Sequence, residues 1–242
     1  MAPRSFWSCR NGCHDDPLPP ESPAPTMNHQ DTMASLAEAV LRRRRWDERY
    51  LSDSRPWDTG ITPPEVATFW QSGLLPLRGL AIDLGCGSGT NAAFLAGLGL
   101  HVVGVDLSGI ALFRAQTRSA GFLGAESCRI SWVQSDVALL PLCAAGASYI
   151  LDIGCLHGVP REQRSLYARG VVDNLAPGGY YHLFSFDRTQ NEGQDSERRD
   201  QGLDENEVSL LFSPALTLLT VLRGRPDHRP CRWYLLRKPD GQ

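Results

Sequence analysis

Leu80-Ala81-Ile82-Asp83-Leu84 runs into Gly85-Cys86-Gly87-Ser88-Gly89, and after residues 90–100 the chain reads His101-Val102-Val103-Gly104-Val105-Asp106-Leu107-Ser108. The first run is short, apolar and partly β-branched, and it stops at glycine, which predicts a buried strand. Three glycines at alternate positions predict a turn whose backbone can approach a ligand with no Cβ in between. Residues 91–98 place Ala92, Phe94, Leu95 and Leu98 at helical spacing. A helix starting there aims free backbone N–H groups over the glycines. The second apolar run ends in Asp106, a carboxylate placed to accept both hydrogens of a ribose diol. Strand, glycine turn, helix, strand and acid together describe one nucleoside-binding half-site.

Two nucleoside classes compete for it. Counted from Gly85, the dinucleotide pattern G-x-G-x-x-G/A fails at Thr90; counted from Gly87, with Gly89 and Ala92, it fits. A nicotinamide-dependent oxidoreductase therefore stays open on the glycines alone. Asp83 favours the other class. An acid just before the glycines suits a cationic ligand and opposes a pyrophosphate on the same turn. S-adenosylmethionine carries a sulfonium and an ammonium and no phosphate. The phosphate-binding pattern G-x-x-x-x-G-K-[ST] does not occur around this turn.

Asp83-Leu84-Gly85-Cys86-Gly87-Ser88-Gly89 resembles the first motif of class I S-adenosylmethionine-dependent methyltransferases, and Val105-Asp106-Leu107-Ser108 resembles the segment that follows it there. Ser135-Asp136-Val137, residues 149–157 and Leu175-Ala176-Pro177-Gly178-Gly179 are similar to the later motifs, in the same order. The resemblance implies an α/β fold: a doubly wound, mostly parallel seven-stranded sheet with an antiparallel C-terminal hairpin. It also implies S-adenosyl-L-methionine as cofactor. Asp83 would serve its cationic amino-acid end, Gly85, Gly87 and Gly89 its contact with backbone, Asp106 the ribose, Leu107 a face of adenine, and Asp136 with Val137 the adenine edge.

The rest of the chain fits this frame. Its 242 residues, 42% of them hydrophobic, suffice for one domain with an appendage. A net charge of −3 gives no basic excess for a nucleic-acid partner, and no apolar run reaches membrane-spanning length. The basic run Arg42-Arg43-Arg44-Arg45 is followed by Asp47 and Glu48 and reads as a solvated helix face. Seven scattered cysteines fit free thiols in the cytoplasm better than a disulfide framework. Residues 1–33 are Pro-rich and polar and read as a disordered leader, with Cys9 and Cys13 a weak hint of a metal site. Residues 34–76 read as a helical lid segment and 77–242 as the catalytic domain.

Residues 35–50 read as one helix, and a rigid segment around Pro56-Trp57-Asp58 follows. Trp46-Asp47-Glu48-Arg49-Tyr50 with Pro56-Trp57-Asp58 and Gly60 resembles the N-terminal segment of the thiopurine, thiol and halide methyltransferase group. By that resemblance Trp57 belongs to a lid over the cofactor; otherwise it is a core anchor. Residues 65–75 read as a helix burying Val66, Phe69 and Trp70, and 109–119 as another. Residues 129–133 and 147–153 read as strands, and 160–175 as a helix with Leu166, Tyr167, Val171 and Leu175 as its buried stripe, ended by Pro177-Gly178-Gly179. A strand at 180–186, a polar insertion at 187–204, a helix start at Asp204 and an antiparallel strand pair at 216–222 and 231–236 complete the pattern.

Methyl transfer from a sulfonium needs alignment above all, and a base only where the acceptor holds its proton tightly. Asp152 and His157 lie at the end of the fourth strand and are the catalytic candidates, His157 as a base and Asp152 as a shaper of the cofactor's methionine end. Each is also readable as structural. Cys86 and Cys155 read as small core thiols. The expected partner is a small-molecule methyl acceptor, the expected state a monomer or weak homodimer, and no metal is expected. A methyltransferase fold kept as a binding module is the remaining alternative.

Overall fold

A computed structural model describes residues 29–52, 55–140, 146–188, 202–204, 206–224 and 229–241. Residues 1–28, with Cys9 and Cys13, and most of the polar insertion lie outside the described residues. Two compact units are distinguished, Met1–Ala39 and Val40–Gln242. In the first, residues 29–39 are helical. The sheet and the site belong to the second.

Seven strands form one sheet: β1 (Leu80–Leu84), β2 (His101–Asp106), β3 (Ile130–Gln134), β4 (Ala147–Ile153), β5 (Leu175–Phe186), β6 (Thr217–Arg223) and β7 (Cys231–Arg237). Their order is β3-β2-β1-β4-β5-β7-β6. The first five run parallel. β7 lies antiparallel between β5 and β6. The helices are α1 (His29–Leu51), α2 (Pro64–Gln71), α3 (Thr90–Gly97), α4 (Gly109–Leu123), α5 (Arg164–Asn174) and α6 (Glu207–Phe212). No helix among the described residues is long and apolar enough to cross a membrane.

Strand parity builds two cores, one on each sheet face. Ala81, Val102, Tyr149, Leu151, Tyr180 and Trp233 pack with Val66, Phe69 and Trp70 of α2 and with Ala92, Leu95 and Ala96 of α3. At the alternate strand positions, Ile82, Ile150, Tyr181, Tyr234 and Leu236 pack on the other face with Tyr167 and Val171 of α5 and Val208 and Phe212 of α6. A sheet buried on both faces explains the near-continuous apolar runs of β1 and β4. β6 differs: every one of its residues is exposed, as an edge strand at the end of the sheet.

The fifth helix corrects two expectations. Residues 161–163 form a 3-10 turn, α5 ends at Asn174, and Leu175 already pairs with Ala147 of β4. Pro177-Gly178-Gly179 therefore lies within β5 rather than at a helix end. Leu166 faces solvent at 44% exposure, whereas Arg164, with the charge, is 2% exposed. A local periodicity cannot reveal that an arginine finds four acceptors: Arg164 donates to the carbonyls of Val159, His157 and Gly202 and to Glu207 Oε1.

Candidate functional site

The strand order reverses between β1 and β4, so the crevice of this sheet opens beyond their carboxyl ends. The turns that leave the two strands touch there. A Cβ built on Gly85 would sit 2.9 Å from Cys155 Sγ, which is why the position tolerates only bare backbone, at φ 65°. The turn is closed by Gly89 N–H donating to Cys86 O at 2.9 Å, and Gly89, left-handed at φ 81°, begins α3 without a side-chain cap.

Two acids stand on the same sheet face around this turn. Asp106 ends β2; its Oδ2 accepts from Gly87 N at 2.9 Å and its Oδ1 from Ser108 N at 2.8 Å. Burial pushes its pKa up to about 6, and those backbone bonds pull it back. Asp83, one residue before the end of β1, is 2% exposed, and its Oδ2 is buried with no hydrogen-bond partner among the described residues. Burial pushes its pKa up to about 8; the Ala92 N–H opposes this, and the neighbouring charges of Asp106 and Asp152 add to it. A buried acid with an unanswered oxygen is the mark of a missing cation or donor.

Parity separates Asp152 from this pair. It pairs with Leu84 in register, so it points to the face opposite Asp83. It is fully buried and accepts from Cys155 N at 2.6 Å, Leu156 N at 2.9 Å and the Tyr167 hydroxyl at 2.5 Å. Burial raises its pKa to about 6 against these bonds. Asp152 thus holds the turn after β4.

His157 lies in that turn, over Gly154, with its ring 5.1 Å from that of Phe186. Phe186 N–H donates to His157 Nδ1 at 3.4 Å. Burial, with the positive charges of Arg229 and Arg164, lowers its pKa to about 4. Asp136 follows β3; its Oδ1 accepts from Ala138 N at 3.0 Å and its Oδ2 from Arg42 Nη2. Val137 packs its side chain into the core, and Leu107, half-buried, uses its carbonyl to accept from Gln134 at 3.2 Å.

Sequence reading did not single out Arg42, Asp47 or Tyr50 of α1 as site residues, yet all three reach the loops around the crevice. Arg42 reaches Asp136 and Gln163, Asp47 accepts from Ser108 Oγ at 2.6 Å, and Tyr50, 4% exposed, puts its hydroxyl 2.6 Å from where a Gly87 Cβ would lie. The signal was present as the i, i+4, i+8 spacing of Arg42, Trp46 and Tyr50. Arg42 is therefore not part of a solvated face, while Arg43 and Arg44 pair with Asp47 and Glu48 along the helix surface. Trp57 is 43% exposed and edge-on to Trp46 and Tyr50, which removes the core-anchor reading. Beside it Asp58 accepts from Ser88 Oγ at 2.6 Å, pinning that loop to the glycine turn.

The donor set decides what fits. A bare backbone floor flanked by two buried acids suits a ligand with a cationic group and a diol, and repels a pyrophosphate. Residues 81–179 match the family model described as a methyltransferase domain. This stretch is a methyltransferase domain. Among curated proteins, the chain is 27% identical over 139 residues to a 2-heptyl-1-hydroxyquinolin-4(1H)-one methyltransferase of Mycobacteroides abscessus, covering 57% of this chain and 59% of that protein. It is 36% identical over 134 residues to a probable thiol methyltransferase of Arabidopsis thaliana, covering 55% and 58%. The chain thus spans about three fifths of the length of these relatives. The fold is that of the N-methyltransferase NodS of Bradyrhizobium japonicum, solved with S-adenosyl-L-homocysteine, at TM-score 0.62 and 22% identity, covering 81% of this chain and 98% of that one. The methyltransferase domain contains Asp83, the glycines, Asp106, Asp136, Asp152 and His157; Tyr50 and Trp57 precede it.

Proposed function

We propose that this protein transfers the methyl group of S-adenosyl-L-methionine to a small-molecule sulfur, oxygen or nitrogen nucleophile. The observation that carries the reading is the unpaired oxygen of Asp83, facing the same bare turn as Asp106. When bound, the cofactor supplies an electrophilic methyl group on a sulfonium. Asp83 answers its ammonium, directly or through water. Asp106 keeps lone pairs for the ribose hydroxyls beyond the two backbone bonds that set its orientation. Asp136 and Val137 border the adenine edge, Leu107 a ring face, and Tyr50 and Trp57 close the site from α1 and the loop after it. These groups align donor and acceptor and exclude water, an effect that can lower a barrier by about 7–11 kcal/mol.

We place the protein in the cytoplasm as a monomer or weak homodimer; the four described cysteines are all free thiols, in keeping with a reducing compartment. Calorimetry with S-adenosylhomocysteine and with nicotinamide dinucleotides tests the cofactor, since only a ligand of the folded state stabilises it. Binding of the dinucleotide alone refutes the reading. Methyl transfer to a panel of thiols, phenols and amines then identifies the acceptor class.

A further inference from the structure

We infer that His157 is a hydrogen-bond donor to the methyl acceptor through Nε2, not its base, and that the acceptor arrives already ionised; this rests on the methyltransferase reading above. The backbone N–H of Phe186 can only donate, so the nitrogen it meets, Nδ1, carries no proton. In a neutral imidazole the proton then sits on Nε2, and among the described residues no hydrogen bond reaches that atom. The ring covers Gly154, at the crevice end of β4. Asp187, next to Phe186, is paired with Arg232, and Glu207 with Arg164; the two charges that act on the ring are Arg229, which stacks on Phe186 at 4.3 Å, and Arg164, which donates to the His157 carbonyl. Both oppose a second proton on the ring, in line with its lowered pKa near 4.

The two other ionisable side chains of the turn after β4 are closed to the acceptor. Asp152 is sealed among four donors, counting Tyr181 at 3.5 Å, and burial drives the Cys155 thiol well up. A ring N–H that can only donate, beside the Arg229 charge, fits an anionic acceptor such as a thiolate. In the step, a lone pair of the acceptor anion forms the bond to the methyl carbon. The sulfur–methyl bond breaks, its electron pair stays on sulfur, and no proton moves. The donor holds the anion in line and is lost as a partner once the anion is neutralised.

Nitrogen NMR of the histidine rings in the full chain, from pH 5 to 8, reads the tautomer without any acceptor. The expected result is protonated Nε2, bare Nδ1 and no titration of His157 in that range; a protonated Nδ1 or a midpoint near 6.5 overturns the inference. A series of thiophenols of different acidity supplies the second reading. With the cofactor saturating at every pH, the midpoint of kcat/KM for the acceptor is expected to follow the acceptor's own pKa, and a midpoint shared by all acceptors overturns the inference. His157→Gln, which keeps a donor near Nε2, should restore most of the activity that His157→Leu loses, about ten- to a hundredfold. Calorimetry on each sample separates the failures. If the cofactor does not bind wild type, the methyltransferase reading falls and this inference with it. If it binds and methyl is transferred with an acceptor-independent profile, only the role of His157 falls.

Discussion

Asparagine at position 83 isolates the charge that the cofactor is expected to meet. With a pKa near 8, Asp83 is about nine-tenths protonated at pH 7 in the free protein. An ammonium bound beside it favours the carboxylate, so binding must expel that proton. Calorimetry in buffers of different ionisation enthalpy should therefore count close to one proton released per cofactor at pH 7. For the same reason affinity should weaken about ninefold from pH 7 to pH 6 through Asp83 alone. The ordinary carboxylate pKa near 3.8 applies in the unfolded chain, so the raised native value carries a second consequence. Its sign is that of any raised pKa: the contribution is favourable at low pH and is lost as pH climbs from about 4 to 8. At pH 7 the loss is of order 4 kcal/mol as an upper bound. Asp83→Asn, a near-isostere of the protonated acid, should remove the proton release, flatten the pH dependence of binding and stabilise the cofactor-free protein near neutrality. Unchanged proton release and unchanged affinity in the variant would refute the role of Asp83.

Asp106→Ala should weaken S-adenosylhomocysteine at least tenfold in calorimetry, and it should lower the melting temperature as well, because Gly87 N and Ser108 N lose their acceptor. Arg164→Met strips the Val159 carbonyl and Glu207 Oε1 of their donor and takes one of two donors from the His157 and Gly202 carbonyls, and it should cost about 3–5 kcal/mol in denaturant unfolding. His182 donates to or accepts from the Tyr149 hydroxyl at 2.9 Å inside the aromatic cluster, and burial lowers its pKa to about 4. A lowered histidine pKa contributes stability above 6.5 that is lost as pH falls through 4. Stability measured at pH 6.5 and 4 should thus drop by about 3 kcal/mol less in His182→Phe than in wild type.

The local half of this protein was written in the chain. A β-branched run stopped by glycine, a helical period after it and an acid closing the next run define β1, α3 and β2 through neighbours within a few residues. Parity separates Asp83 from Asp152 only once the sheet sets Leu84 opposite Asp152, a register that pairing between the two strands decides. What tertiary structure decided was which carboxylates are answered, and by what. Asp152 meets Tyr167 and Tyr181, Asp136 meets Arg42 and Asp58 meets Ser88, across 15 to 94 residues of chain. Asp83 Oδ2 meets no hydrogen-bond partner among the described residues. The same was true of His157, whose sequence position suggested a base and whose surroundings, Phe186 N–H, Arg164 and Arg229, assign its proton to the other nitrogen. Backbone propensity and periodicity act over one or two turns and so can be read from order alone. Solvation and charge depend on every group within a few ångströms, and only the folded chain brings those groups together.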